Sequence, residues 1–356
     1  MITDAKLRQA IDETLASRKD DAEEFLAYAI TDFAVERTDL LYVRDQYHSQ
    51  LLDFSTTGGL LPLGHQHGPT KVAIAEQMNH YGPVGAPGQY LQRWQVEYAK
   101  ALSYSLDCSP LKCPTRVFYT PDESTALRMA RSVADHVSGK TPLVLDLVVP
   151  SVGLVEDKTR VAQQVADARS KGHPIIVNES ITGFGRTGAP WGQHTWDIVP
   201  DITVIGGAGG GGFPFGAVVA PVEYFTEDLF EFWGPRRQAG NPAIMAAGYA
   251  TLKAIDAPLL EHVKESSGGF AAGLRELQEQ FPNLIYGIDG VGLLGFMKFH
   301  NDGDAMQFVH ACWDRGLMLT PTMTDVITLT PPLIASELEL RRGIDLMASA
   351  CLEWMH

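Results

Sequence analysis

The chain is short of cysteine, of positive charge and of long apolar runs, and each shortage excludes something. Four cysteines in 356 residues do not make a disulfide framework. Cys312 and Cys351 fall on predicted helices as packing residues. Cys108 and Cys113 lack the second Cys or His pair that a structural zinc needs. His65 and His67, two apart in GHQHG, have no third ligand in a motif around them, so no metal is expected. Lysine and arginine number 28 against 43 aspartates and glutamates, a formal net charge of −15. That balance opposes polyanions, so nucleic acid and anionic membrane surfaces are not expected partners. No apolar run approaches the roughly 20 residues that span a bilayer. The first 25 residues, MITDAKLRQAIDETLASRKDDAEEF, are charged and amphipathic with no apolar signal core. A cytoplasmic location is therefore expected.

A local absence is more informative. DITVIGGAGGGGFPFGAVVAP, residues 201–221, holds seven of the chain's 34 glycines and no lysine. So bare a backbone can come very close to something. Gly207-x-Gly209-x-x-Gly212 has the spacing of the dinucleotide fingerprint, but that fingerprint needs a helix N-terminus after the glycines. Here a proline and an apolar, β-branched run follow, which read as a strand. A phosphate-binding P-loop is excluded because no Gly-Lys-Ser/Thr closes the run. Read locally, this is a glycine turn between buried strands, Ile202–Ile205 and Ala217–Ala220.

What is present is ordinary for a globular chain: 45% hydrophobic and 20% charged residues, enough for a large core in two domains. The first forty residues read as helical. Strands are predicted near 40–44 and 50–54, and helices over 69–80 and 90–106. Strand and helix then alternate: 115–119, 123–137, 142–149, 158–171, 174–177 and 202–205. The short continuous apolar strands are of the kind buried in a parallel sheet, and the rhythm predicts an α/β domain with helices on both faces. After Asn241 come two helices (241–254 and 258–280), strands (284–288 and 291–299), a helix, strands (317–320 and 326–329) and a last helix (335–354). That is the grammar of a small α+β domain.

Three stretches carry a resemblance: IIVNESITGFGRTG (175–188), VPDITVIGGAGGGGFPFGAVVAP (199–221) and AGNPAIMAAGYATL (239–252). They resemble the class III aminotransferases, the ornithine, acetylornithine and diaminobutyrate group of fold-type-I pyridoxal-phosphate (PLP) enzymes. LLDF, LPLGHQH, GVGLLGFMKF and ITLTPPL match in the same order. The resemblance implies a fold-type-I large domain with a mostly parallel sheet (61–257), a small α+β domain (258–356), and N-terminal helices and strands (1–60) packing with the small domain. It also implies a dimer with the active site at the subunit interface.

The family's chemistry needs a lysine for the Schiff base and a carboxylate on the pyridine nitrogen. By the resemblance, the lysine position is Gly207 and the carboxylate position is Asn178. The phosphate-binding threonine falls at Arg237, and an arginine that grips the substrate carboxylate falls at Thr328. The phosphate cradle has become TPDESTALRMAR, where Asp122 and Glu123 bring negative charge. Only SVADHVSGKTP separates that helix from VLDLVVPSVG, where the family carries some tens of residues, including an aromatic that stacks on the ring. No bound cofactor is expected. Lys253 and Lys298 are read as surface lysines.

Three functions follow. One is a non-catalytic relative that forms a homodimer, pairs as a heterodimer with an intact aminotransferase homologue, or serves a neighbouring pathway enzyme as a scaffold. Another is a repurposed, PLP-independent enzyme using the old cleft, with Asn178, Glu179, Arg186, Arg237 and Thr328 as candidate residues. The third is non-covalent PLP binding with residual transamination.

Overall fold

The computed structural model describes residues 35–45, 49–80, 92–106, 114–226, 239–320 and 324–355. The described chain opens with strands β1 (Val35–Asp39), β2 (Tyr42–Asp45) and β3 (Gln50–Asp53). The helical reading of the first forty residues fails at β1. Leu40, with φ of 45°, reverses the chain, and β1 pairs antiparallel with β2, Thr38 opposite Val43 and Asp39 opposite Tyr42. Ladder pairing with a neighbour overrides local propensity there. The remainder of that reading, residues 1–34, lies outside the described residues, as do Cys108, Cys113 and Arg237.

Helices α1 (Gly68–His80) and α2 (Arg93–Leu106) follow, then β4 (Thr115–Thr120), α3 (Glu123–Ser138) and β5 (Leu143–Asp146). The predicted strand 142–149 is broken at Leu147: β5 belongs to the main sheet, whereas β6 (Val148–Val149) turns away and pairs with β7 (Leu154–Val155). Next come α4 (Lys158–Lys171), β8 (Ile175–Asn178), β9 (Ile202–Ile205) and β10 (Gly216–Pro221). The C-terminal part runs α5 (Pro242–Ala254), α6 (Ala257–Gln280), β11 (Ile285–Val291), β12 (Leu294–Phe299) and α7 (Asp302–Asp314). Strands β13 (Leu317–Met318) and β14 (Val326–Leu329) and helix α8 (Glu337–Cys351) close it.

The main sheet has the order β4-β10-β9-β8-β5. Strands β5, β8 and β9 are mutually parallel, and β10 runs against both β9 and β4. Only β10 is therefore reversed, and the sheet is mostly parallel in direction. It is covered on both faces, as its apolar strands require. On one face Ala126, Met129, Ala130 and Val133 of α3 pack on Ile176, Ile202, Val204 and Val218. On the other, Tyr98, Leu102 and Leu106 of α2 and Met245 of α5 pack on Ile205, Ala217 and Val219.

A second, three-stranded sheet, β11-β12-β14, is antiparallel. It shares a core with Phe270 and Leu274 of α6, Phe308 of α7 and Met347 of α8. The third sheet joins distant parts of the chain: β13 pairs in parallel with β3, Leu317 opposite Leu52. The segment leading from β3 is fastened by Asp53, whose carboxylate accepts from Ser55 N at 2.7 Å and Thr56 N at 3.1 Å and contacts His65 Nε2 at 2.7 Å. No single helix among the described residues is long and apolar enough to cross a membrane.

Candidate functional site at the strand ends

In an open α/β sheet, ligands bind outside the carboxyl ends of parallel strands. Here β5 and β8 end in register, with Asp146 opposite Asn178, and Asn178 opposite Val204 of β9. The Asn178 amide is fully used. Its Nδ2 donates to Asp146 Oδ1 at 2.9 Å and Glu123 Oε1 at 3.3 Å. Its Oδ1 accepts from Ser180 Oγ at 2.6 Å and Ser180 N at 3.2 Å. Glu123 is the first residue of α3, and the residue before it caps the helix: Asp122 accepts from Thr125 N at 2.7 Å. A helix N-terminus that could attract an anion is thus served by the chain's own carboxylate.

The glycine turn leaves β9 as a short 3₁₀ turn, Gly207–Gly210. A Cβ built on Gly206 would lie 2.7 Å from Ser180 Oγ and 3.1 Å from Glu123 Oε2. One on Gly207 would lie 2.7 Å from Leu60 Cδ2, so any side chain at 207 requires Leu60 to turn aside. Further on, Tyr98 Oη donates to Gly209 O at 2.6 Å. A Cβ on Gly248 of α5 would run into that same carbonyl oxygen. The turn is bare partly because two helices close on it.

Glu179 and Arg186 follow β8, and both are 1% exposed. Glu179 Oε2 accepts from Gly192 N at 2.8 Å and Thr182 Oγ1 at 2.7 Å, and Oε1 from Gln193 N at 2.6 Å. Burial raises its pKa, and those hydrogen bonds oppose the rise. The carboxylate therefore closes the 180–193 loop. Arg186 Nη1 donates to Leu293 O at 3.0 Å and to Pro331 O, tying the same loop to the segments flanking β12 and β14. Burial pushes its pKa down to about 9, which leaves it protonated at neutral pH. Thr328 lies half-buried on β14, opposite Phe296 of β12.

The structure thus gathers Asn178, Glu123, Asp146, Ser180 and the start of the glycine turn, while Glu179 and Arg186 hold the backbone beneath them. Lys253 Nζ lies 5.5 Å from the centre of the Tyr249 ring on its own helix, and Lys298 lies on β12. Sequence reasoning missed Leu60, Asp146, Tyr98 and Gly248. For Asp146 a signal existed: it is the one carboxylate within the predicted apolar strand 142–149.

Comparison with known proteins agrees with this architecture. A family model described as Aminotransferase class-III matches residues 143–351. Acetylornithine aminotransferase of Archaeoglobus fulgidus is 30% identical over 237 residues, covering 66% of this chain and 60% of the relative. The Synechocystis enzyme of the same name is 31% identical over 183 residues, covering 49% of this chain and 41% of the relative. The chain spans about half the length of the curated relatives it matches. Among solved structures, acetylornithine aminotransferase from Elizabethkingia anophelis superposes with a TM-score of 0.84 at 19% identity, covering 95% of this chain and 99% of that one. Ornithine aminotransferase from Plasmodium yoelii gives 0.85 at 16% identity, covering 96% and 99%. At such identities these two show a common fold.

These matches correct one expectation. The relatives are PLP-dependent aminotransferases, so PLP is the cofactor that goes with this fold, and the expectation of no cofactor does not stand. The described residues do not, in this arrangement, fit a lysine-anchored PLP: Gly207 has no side chain, both ends of the Asn178 amide are engaged, and Asp122 caps α3. With a family model matching more than half of its length, and with the sheet order, glycine turn and buried Glu179 loop now on view, the chain belongs to the class III aminotransferase family.

Proposed function

We propose that this chain is a class III aminotransferase relative that does not run transamination through a lysine at position 207. In this reading it works in the cytoplasm as a structural partner, as a homodimer or paired with a homologue that retains the lysine. The observation that carries the reading is the bare α-carbon of Gly207 with Leu60 Cδ2 in the room a side chain would take. An amine is needed there to capture the cofactor aldehyde. Asn178, held between Asp146 and Glu123, cannot neutralise a protonated ring nitrogen as a carboxylate does. The features that persist, the Glu179 clamp, the Arg186 strap and the glycine turn, all hold backbone.

The test is chemical. Protein purified in the presence of PLP is reduced with borohydride, digested and mapped. The expected result is no pyridoxyl-lysine peptide; an adduct on any lysine overturns the reading. Light scattering of the full chain, alone and co-expressed with a lysine-bearing homologue, then reports which dimer forms.

A further inference from the structure

On the α1 side of the glycine turn the wall changes character. Leu61, Pro62, Leu63, Ile74 and Phe213 line an open cavity of about 280 Å³, together with Gly211 and Gly212. Both glycines have left-handed backbone, with φ of +63° and +93°, which disfavours any side chain there and keeps the cavity open. Its charged or titratable lining groups are His67 and Lys71. In a chain with 43 acidic and 28 basic residues, no carboxylate among the described residues lines it. That local bias selects an anion.

The imidazole is set up to serve one. His67 Nδ1 lies 3.0 Å from Thr70 Oγ1, itself 3.3 Å from Thr251 Oγ1. In the tautomer where the hydroxyls donate along this chain, from Thr251 to Thr70 to Nδ1, the ring proton sits on Nε2. Burial lowers the His67 pKa, so the ring is neutral at pH 7 and offers a single N–H. Lys71, one turn along α1 from His67, is exposed at the rim.

We propose that this cavity binds a small amphipathic carboxylate, an unbranched acid of about six carbons at the small end of the ligand-pocket range. Its alkyl body lies against Leu61, Ile74 and Phe213, and its carboxylate meets Lys71 and the His67 N–H.

Calorimetry on the full chain with hexanoate, hexanol and hexylammonium tests it. Hexanoate is expected to bind saturably at one site, and more tightly than either analogue. Lys71→Met should weaken hexanoate about fivefold, the scale of an exposed charge pair, and leave hexanol unchanged. Ile74→Trp should abolish binding of both. Should that variant misfold, methyl NMR of the unaltered protein replaces it: the Ile74 methyl should shift with hexanoate while that of buried Ile327 stays still. Equal binding of hexylammonium and hexanoate, an unchanged hexanoate-to-hexanol ratio in Lys71→Met, or an unmoved Ile74 methyl overturns the proposal.

Discussion

At the scale of single residues, Glu179 shows how a carboxylate in the right neighbourhood can be structural. Its three hydrogen bonds point at one loop, and both oxygens act as acceptors. Glu179→Gln replaces one acceptor with an amide donor facing a backbone N–H, which costs about 1–3 kcal/mol in urea unfolding. The pH dependence has a definite sign. Burial places the folded-state pKa of Glu179 above the ordinary glutamate value. The folded protein therefore holds more protons than the unfolded chain within that window, and stability falls as pH rises through it. The neutral variant lacks this loss, so its deficit should narrow as pH rises from the ordinary carboxylate range through the raised pKa. A deficit that widens instead would assign the raised pKa to the wrong cause. Gly207→Lys is the complementary experiment. Leu60 can turn aside, so the variant should fold, yet it should show no transfer from ornithine or acetylornithine to an oxo acid. Asn178 and Asp122 remain as they are, and activity from the single variant would show that the lysine alone was missing.

At the scale of elements, the glycine turn is held by α2 and α5 from outside its own sequence. Tyr98→Phe removes the donor to Gly209 O and should lower stability by about 1–2 kcal/mol. Gly248→Ala drives a methyl into that carbonyl and toward the Tyr98 ring, 2.6 Å away at Cε1. Overpacking of this kind costs about 1–3 kcal/mol, and denaturant midpoints of the two variants rank the effects. Element type was largely legible in the sequence. The apolar runs of β8, β9 and β10 and the capped helices α3 and α8 are local patterns, with Asp122 and Ser336 as N-caps. Two elements were not. β1 exists because β2 pairs with it, and residues 142–149 divide because β6 finds β7 after β5 has joined β8. Pairing partners decide such cases, and composition alone does not name them.

At the scale of the molecule, Arg186 joins the loop after β8 to the flanks of β12 and β14 through two carbonyl oxygens. Arg186→Ala leaves both without that donor and should cost about 2 kcal/mol or more. Arg186→Lys should not restore it, because the planar guanidinium reaches both oxygens from one nitrogen. Thermal melts of the pair test this, and full rescue by lysine would mean charge rather than geometry matters. The connection between α3 and β5 is equally telling. Gly139, with φ of 64°, ends the helix, and β5 begins at Leu143. The short connection read from SVADHVSGKTP is therefore short in space as well.

By itself the sequence determined the fold class, most of its elements and the family, because hydrophobic period, helix caps and the motif around 175–188 are written in neighbouring residues. It also determined that residue 207 carries no amine. Only the tertiary structure decided that Leu60 fills the space beside Gly207, that Asp146 and Glu123 occupy Asn178, and that Glu179 and Arg186 are fastenings. Most of those contacts join residues far apart along the chain, and burial and hydrogen bonding act on distance in space, which the order of residues along a chain does not contain.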